Sequence, residues 1–386
     1  MSVTEIIFVI ALLWVAYTYL GYPLLLWLRA VAGRRLHRVD PDYRASVSIV
    51  IAARNEEEAI ARRIKELSRL IRSCQLDGEI VLVSDGSTDH TASAASGAAG
   101  DVLVRVIALK ENLGKAAAIS IGCRSASNQI LILADARQTW AEDALVRLLE
   151  NFADPNVGGA SGELILEEAP GIQAGVGLYW KYEKWIRRTE AQIGSTVGVS
   201  GSICAVRREL FTPIPAGTIL DDVHWPMQVV MSGHRIVHDP RAHAFDRLPP
   251  KSRDEFRRKV RTLSGNFQLI ARTPSLLLPW RNPIWFQFVS HKLMRLGVPW
   301  ALLAMLGCCI IRGGIVGYAL LAAQLVFYSV GIIATLGGQR VRFFLASPIA
   351  SFLLLNAAAW TAFWVWISGR AGRSWNRTIY SSPATS

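Results

Sequence analysis

The chain has 386 residues, 51% of them hydrophobic, a mean hydropathy of +0.28 and a formal net charge of +12. This is too apolar for an ordinary soluble enzyme, where about 45–50% is usual, so membrane segments are expected. The five cysteines, Cys74, Cys123, Cys204, Cys308 and Cys309, have neither metal-site spacing nor a disulfide framework, which fits a reduced compartment.

The first predicted element is a membrane helix within residues 1–42. Ile6 to Leu28 carries no charge, and about 20 such residues span a bilayer core. The run is too long for a cleavable signal peptide, and no Ala-x-Ala-like site follows it. Arg29, Arg34, Arg35, Arg38 and Arg44 follow instead. Such clusters mark the cytoplasmic flank of a span, so the N-terminus is expected outside and the next region in the cytoplasm. Much of the positive charge flanks membrane segments, which makes the lipid bilayer the expected partner and leaves no role for nucleic acid.

Residues 43–250 read as one cytoplasmic domain of alternating strands and helices. "VSIVIAA" (47–53) has strand composition, and Ile60, Ile64, Leu67 and Ile71 then recur at near-helical spacing. Asn55 followed by Glu58 resembles a capping box at that helix's start. Further pairs follow: strand 79–83 with a helix from Thr88, strand 102–109 with helix 114–124, and strand 130–134 with helix 141–151. Alternation of this kind predicts an α/β fold with a mostly parallel sheet covered on both faces. Asp85 and Asp135 each close a strand, where such sheets bind ligands, although aspartate is also favoured there for turn and capping bonds.

After residue 250 the character changes. Residues 251–295 are basic and amphipathic, mixing Trp, Phe and Leu with Arg281, His291, Lys292 and Arg295, the composition of an interfacial segment. Three apolar runs within 296–370 follow, at Gly297–Ile311, Ile315–Leu336 and Phe343–Ser368. Four crossings put the C-terminal tail, 371–386, outside, yet Arg370, Arg373 and Arg377 favour the inside. Either the first of these runs, short and holding Pro299, is re-entrant or interfacial, or the tail breaks the rule.

Several stretches, taken in order, resemble the membrane-bound glycosyltransferases of family 2, built on the nucleotide-sugar-binding GT-A fold (Rossmann-like). "SIVIAARNEEEAI" resembles the family's opening strand and helix, "VSDGSTDHT" its first aspartate motif, and "NLGKAAAIS" its Gly-Lys segment beside the donor. "ILADARQ" stands where the metal-binding Asp-x-Asp is found. "VSGSICAVRRELF" is similar to the acceptor-side segment, "ILDDVHWPMQVVMSGHRI" to the segment with the catalytic base, and "DEFRRKVRTLSGNFQ" stands in place of Gln-x-x-Arg-Trp.

The resemblance implies inverting transfer of a sugar from a nucleotide diphosphate sugar, expected to be UDP-linked, at a bacterial-type inner membrane. Asp222 would be the base and Asp221 its positioner. The implied donor-binding set is Ala53, Asn55, Glu57, Asp85, Gly86, Lys115, Asp135, Arg137, Arg258 and Arg261. Asp135 would also hold Mg²⁺ or Mn²⁺, and Trp180, Trp185 and Trp225 are candidate sugar-stacking surfaces. The acceptor would be a membrane-held lipid-linked or glycan molecule in surface or exopolysaccharide synthesis.

Two departures stand out. Arg137 replaces the second Asp of Asp-x-Asp, and Thr262 the Trp of Gln-x-x-Arg-Trp. With few membrane helices and no indole platform, addition of one or a few sugars is expected ahead of processive synthesis, for which export subunits or a homo-oligomer would have to complete a channel. An inactive scaffold on the same fold is the remaining alternative.

Overall fold

A computed structural model describes residues 1–167, 174–247, 252–337 and 346–371. Its centre is an eight-stranded sheet in the order β3-β2-β1-β4-β7-β6-β8-β5. The strands are β1 Val47–Ala53, β2 Gly78–Ser84, β3 Leu103–Ala108, β4 Ile130–Ala134, β5 Thr139–Trp140, β6 Val157–Glu167, β7 Ile203–Arg207 and β8 Arg235–Arg247. β1 is flanked by β2 and β4 and β2 by β3, all parallel, while β7 runs antiparallel to β4 and β6. β6 and β8 are parallel, and β5 caps β8 in the antiparallel sense. The fold is thus a mixed α/β sheet rather than a purely parallel one.

The first strands read as uninterrupted apolar runs because both faces are covered. Ile49, Ile51, Ile80, Leu82, Ile130 and Ile132 face one buried layer with Ile60, Ile64 and Leu67 of helix Glu57–Ser73. Val50, Val81, Leu131 and Leu133 face the other, with Ile119 of helix Lys115–Ser125 and Trp225 of helix Asp221–Met231. Ala53, Ser84 and Ala134, the carboxyl ends of β1, β2 and β4, therefore share one edge.

Local signals at helix starts need correction. Asn55 does not cap the first helix: its backbone is left-handed (φ 53°), Glu56 stands at the cap without a side-chain bond, and Asn55 Oδ1 accepts from the Thr88 amide (2.9 Å). The helix expected from Thr88 starts at Thr91, after Asp89 Oδ1 has accepted from the Thr91 amide. The helix expected at 141–151 spans Ala144–Glu150.

Four helices are long and apolar enough to cross a membrane: Val3–Ala32, Trp285–Arg312, Gly314–Leu336 and Ser347–Ile367. The expected interfacial segment, 251–295, overlaps the start of one of these helices. From Trp285 onward it is continuous with the short run that follows, giving 28 helical residues. Two of the charges that suggested an interface, His291 and Arg295, are met by another helix. His291 bonds Glu190 (2.8 Å) and Glu183 (3.1 Å), and Arg295 pairs with Glu183. Both glutamates belong to helix Ala174–Ile193. Tyr22 of the first span donates to Glu190 (2.6 Å), and Trp14 Nε1 to the Met294 carbonyl (2.9 Å), so spans and domain form one packed body. Phe343, Arg373 and Arg377 lie outside the described residues.

Candidate active site

The shared strand edge opens into a cleft of about 580 Å³. Ala53, Asn55, Lys115, Asp135, Arg137, Asp221, Asp222 and Arg261 all line it, as does Thr262. They come from strand ends, loops and helices as far apart in the chain as Ala53 and Thr262.

Asp85 is fully buried, and its carboxylate accepts from the Leu113 amide (2.7 Å) and the Gly114 amide (2.9 Å). It pins the loop that delivers Lys115, the first residue of its helix. Gly86 (φ 59°) serves the same junction, because a Cβ there would lie 2.5 Å from the Asn112 amide nitrogen. The close approach expected for a ligand is thus made to the chain's own backbone. Glu57 also acts as a tie, Oε2 accepting from the His90 amide (3.0 Å). Arg258 lies over the Trp180 ring at 6.0 Å. Asp85, Gly86, Glu57 and Arg258 do not line the cleft.

Lys115 is the cationic centre. Its Nζ is 2.9 Å from Asp135 Oδ1 and 3.9 Å from Asp221 Oδ2. Burial opposes its charge, but Asp135, Asp221 and Asp222 together raise its pKa above the ordinary lysine value. Asp222 is displaced the other way: burial first, then the like charge of Asp221, push its carboxyl up to about 6, against the pull of Lys115. A carboxylate titrating near neutrality is suited to proton abstraction. Its helix start is fixed by the Val199 amide, which donates to the Asp222 carbonyl (2.9 Å).

Arg137 does not project as a free cation into the site. It clasps Glu56 through Nε (2.9 Å) and Nη2 (2.6 Å). Helix Glu57–Ser73 braces the same loop from below, Arg63 donating to the Asp135 carbonyl (3.2 Å) and Arg62 to the Arg137 carbonyl (3.2 Å). Glu56 and Arg63 were missed by the sequence reading. A charge at position 63, on the apolar face set by Ile60, Ile64 and Leu67, was the available signal.

For a metal, the donor set is narrow: among the described residues no group of three or more His, Cys, Asp or Glu side chains could hold an ion. Asp135 alone offers a carboxylate at the expected place. Mg²⁺ can be bound through one or two carboxylates with substrate phosphates completing its shell, so Asp135 fits an ion that arrives with a nucleotide.

None of the candidate stacking residues lines the cleft, although Trp225 borders a small cavity beside it with Lys115, Asp135, Asp221 and Asp222. Trp225 is 1% exposed in the core, Trp180 lies beneath Arg258 and Lys259, and Trp185 is half-exposed. On the cleft's rim, helix Ser252–Arg272 brings Arg261 and Thr262, and Gln268 Oε1 accepts from the Ile219 amide (2.9 Å), tying this helix to the segment before Asp221.

Open α/β sheets in general carry their clefts at the carboxyl ends of the strands; likeness to known proteins defines this one as a GT-A glycosyltransferase fold. Residues 48–213 match the family model described as glycosyl transferase family 2, and the chain carries a domain of that family. The poly-β-1,6-N-acetyl-D-glucosamine synthase of Staphylococcus aureus (strain COL) is 23% identical over 240 residues, 61% of this chain and 58% of the relative. The same-named synthase of Staphylococcus epidermidis is 22% identical over 232 residues, 58% of this chain and 56% of the relative. The chain thus matches less than two thirds of these relatives' length. Among solved structures, a mannosyltransferase from Pyrobaculum calidifontis, in complex with GDP-mannose and Mn²⁺, superposes with a TM-score of 0.72 at 22% identity. That likeness covers 94% of this chain and 99% of the other, and concerns the fold.

Proposed function

We propose that the chain is an inverting glycosyltransferase that moves a sugar from a nucleotide diphosphate sugar, UDP-linked, onto a lipid-linked or glycan acceptor held at a bacterial-type inner membrane, with the catalytic domain in the cytoplasm. The observation that carries this reading is the meeting of Lys115, Asp135, Asp221, Asp222 and Arg261 around one cleft at the sheet's carboxyl edge.

In this mechanism Asp222 takes the proton of the acceptor hydroxyl as its oxygen attacks the anomeric carbon from the face opposite the nucleotide. Asp221 raises the basicity of Asp222 by like-charge repulsion. Lys115 and Arg261 offset the charge of the departing diphosphate, and Ala53 and Asn55 border the nucleotide. Asp85 and Gly86 act through the loop they anchor, and Glu57 through the turn at His90. Asp135 would hold Mg²⁺ or Mn²⁺, which when bound neutralises diphosphate charge.

The test is direct: purified full-length protein in detergent, offered a panel of nucleotide sugars, should release a nucleoside diphosphate from one donor class when acceptor-containing membrane extract is added. Absence of release from every donor, with and without Mn²⁺, rejects the reading in favour of an inactive scaffold.

A second reading, polymer extension with export subunits or a second copy completing a channel, is favoured by the activity named for the staphylococcal relatives. Thr262 at the cleft rim weighs against it, since a hydroxyl cannot replace an indole face under a terminal sugar.

A further inference from the structure

The course of each candidate span can be followed from its contacts. Glu5 pairs with Arg312 (3.3 Å), and Tyr17 shares a hydrogen bond with Ser290 (2.7 Å). Spans Val3–Ala32 and Trp285–Arg312 therefore run antiparallel, with Glu5 and Arg312 at the end far from the domain and Phe288, in the domain's core, at the near end. Span Gly314–Leu336 turns back along its predecessor: Gly317 lies against the Cys309 carbonyl, and Gln324 donates to the Leu302 carbonyl (3.1 Å). That register returns Ala334 to the domain end.

Helix Ala346–Ile367 starts at this same end, with Ala350 packed on Ala334 and Leu353 against Gly331. Its 22 residues, at about 1.5 Å each, would carry the far end of a crossing helix about 30 Å away from the domain. The helix stays beside domain-end partners instead. Asn356 donates to the hydroxyl of Tyr19 (3.3 Å), Ala358 and Ala362 pack on Val260, and Trp366 stacks on Phe267 (5.5 Å). Val260 and Phe267 belong to helix Ser252–Arg272, which Gln268 ties to the Gly217 carbonyl of the domain (2.9 Å). The deepest contact, Trp360 on Trp300 (4.3 Å), reaches only the middle of span Trp285–Arg312. Val365 and Ala371 then pack with the core that holds Leu269 and Phe288.

Charge follows the same geometry. Arg340 and Arg342 precede this helix, and Arg370, Arg373 and Arg377 follow it. Basic flanks stay in the cytoplasm, and a crossing helix would send one of the two across. Protein covers one side of the helix, where Ala358, Ala359 and Ala362 are buried, while Trp364 (50% exposed) and Ile367 (57% exposed) are open. An open apolar side that carries tryptophan suits the boundary between headgroups and acyl chains.

We propose that helix Ala346–Ile367 does not cross the membrane but lies flat in the cytoplasmic leaflet, with the lipid headgroup–acyl boundary as the partner of its open side. The chain then crosses three times, and its basic tail remains on the side of the catalytic domain. The conflict between the number of crossings and the charge of the tail is removed by the last apolar run, not by the first. Helix Ser252–Arg272, which brings Arg261 and Thr262 to the cleft, rests on this flat helix, so the rim of the cleft stands at the membrane surface. The inference concerns the membrane and stands independently of the glycosyltransferase reading.

The test uses the full-length chain in a bacterial inner membrane, with Cys74→Ser as background and single cysteines introduced by Ile315→Cys, just after the second span, and by Ser386→Cys, at the last residue. A membrane-impermeant maleimide should label Ile315→Cys in spheroplasts only, and Ser386→Cys in inverted vesicles only. Labelling of both positions from the same side overturns the proposal, because it restores the fourth crossing. Depth is a second readout: nitroxides attached through Ala357→Cys and Ile367→Cys in nanodiscs should lie within about 5 Å of one depth, against about 15 Å for a crossing helix that rises about 1.5 Å per residue. The larger difference overturns the flat placement wherever the tail is found.

Discussion

As the proposed base, Asp222 would have to meet two opposing demands, being ionised to accept a proton yet basic enough to want one. Burial and Asp221 lift its carboxyl to about 6, so the base is protonated and inactive below that value. The expected profile of kcat/KM therefore falls about tenfold per unit as pH drops below 6, and is flat above it until another group titrates. Asp221→Asn removes the like charge and should move this acid limb to lower pH; an unmoved limb means that Asp222 is not the base. Asp222→Asn should cost about 10²- to 10⁴-fold in turnover with UDP still bound, measured by nucleotide release. Asp85 is a different case. Asp85→Ala takes the carboxylate acceptor from the Leu113 amide and leaves the Gly114 amide only Asn112 Oδ1 (3.0 Å), a loss of about 1.5–3 kcal/mol for a hydrogen bond to a charged group, and loosens the loop before Lys115. A lowered thermal midpoint together with weaker UDP affinity is expected. Weaker affinity at unchanged stability would instead mean that Asp85 touches the nucleotide itself.

At the level of elements, helix Glu57–Ser73 supports the Asp135 loop through Arg63, whose guanidinium is fully buried, 3.0 Å from Glu66 and stacked 4.6 Å over Trp140. Arg63→Met should cost about 3–5 kcal/mol, because removing one partner strands a buried charge; denaturant unfolding measures it. Four of the eight strands, β1 to β4, were legible in the sequence, three of them because doubly covered strands are apolar throughout; β5 to β8 were not read. The ends of the helices were not legible either. Asn55 resembles a cap locally, but its partner Thr88 is supplied by the next loop, and no local window contains both. In the same way, His291 and Arg295 gave the fourth quarter of the chain an interfacial look, since the carboxylates that pair with them lie about a hundred residues upstream. Of the site, Lys115, Asp135, Asp221, Asp222 and Arg261 were found from motif order and do line one cleft. The Glu56–Arg137 clasp was invisible because it joins two loops that only the sheet brings together.

For the whole molecule, the number of membrane helices bears on product length. Four candidate spans, packed against each other and the domain, leave little protein to line a polar path for a growing glycan, whose hydroxyls need partners at membrane depth. Purified protein alone should thus yield products extended by one or a few sugars. Size analysis of radiolabelled product checks this, and a high-molecular-weight polymer made without other subunits would show it to be wrong.

Helix Ser252–Arg272, which carries Arg261, rests on helix Ala346–Ile367, with Phe267 stacked on Trp366 at 5.5 Å between centroids. The support for one wall of the site is therefore translated roughly a hundred residues after that wall, a delay of about 5–20 s at ordinary synthesis rates. A nascent chain can finish its sheet long before it owns a complete donor cleft. The wall that carries Arg261 is therefore completed only once helix Ala346–Ile367, a candidate span, has been made and packed against it.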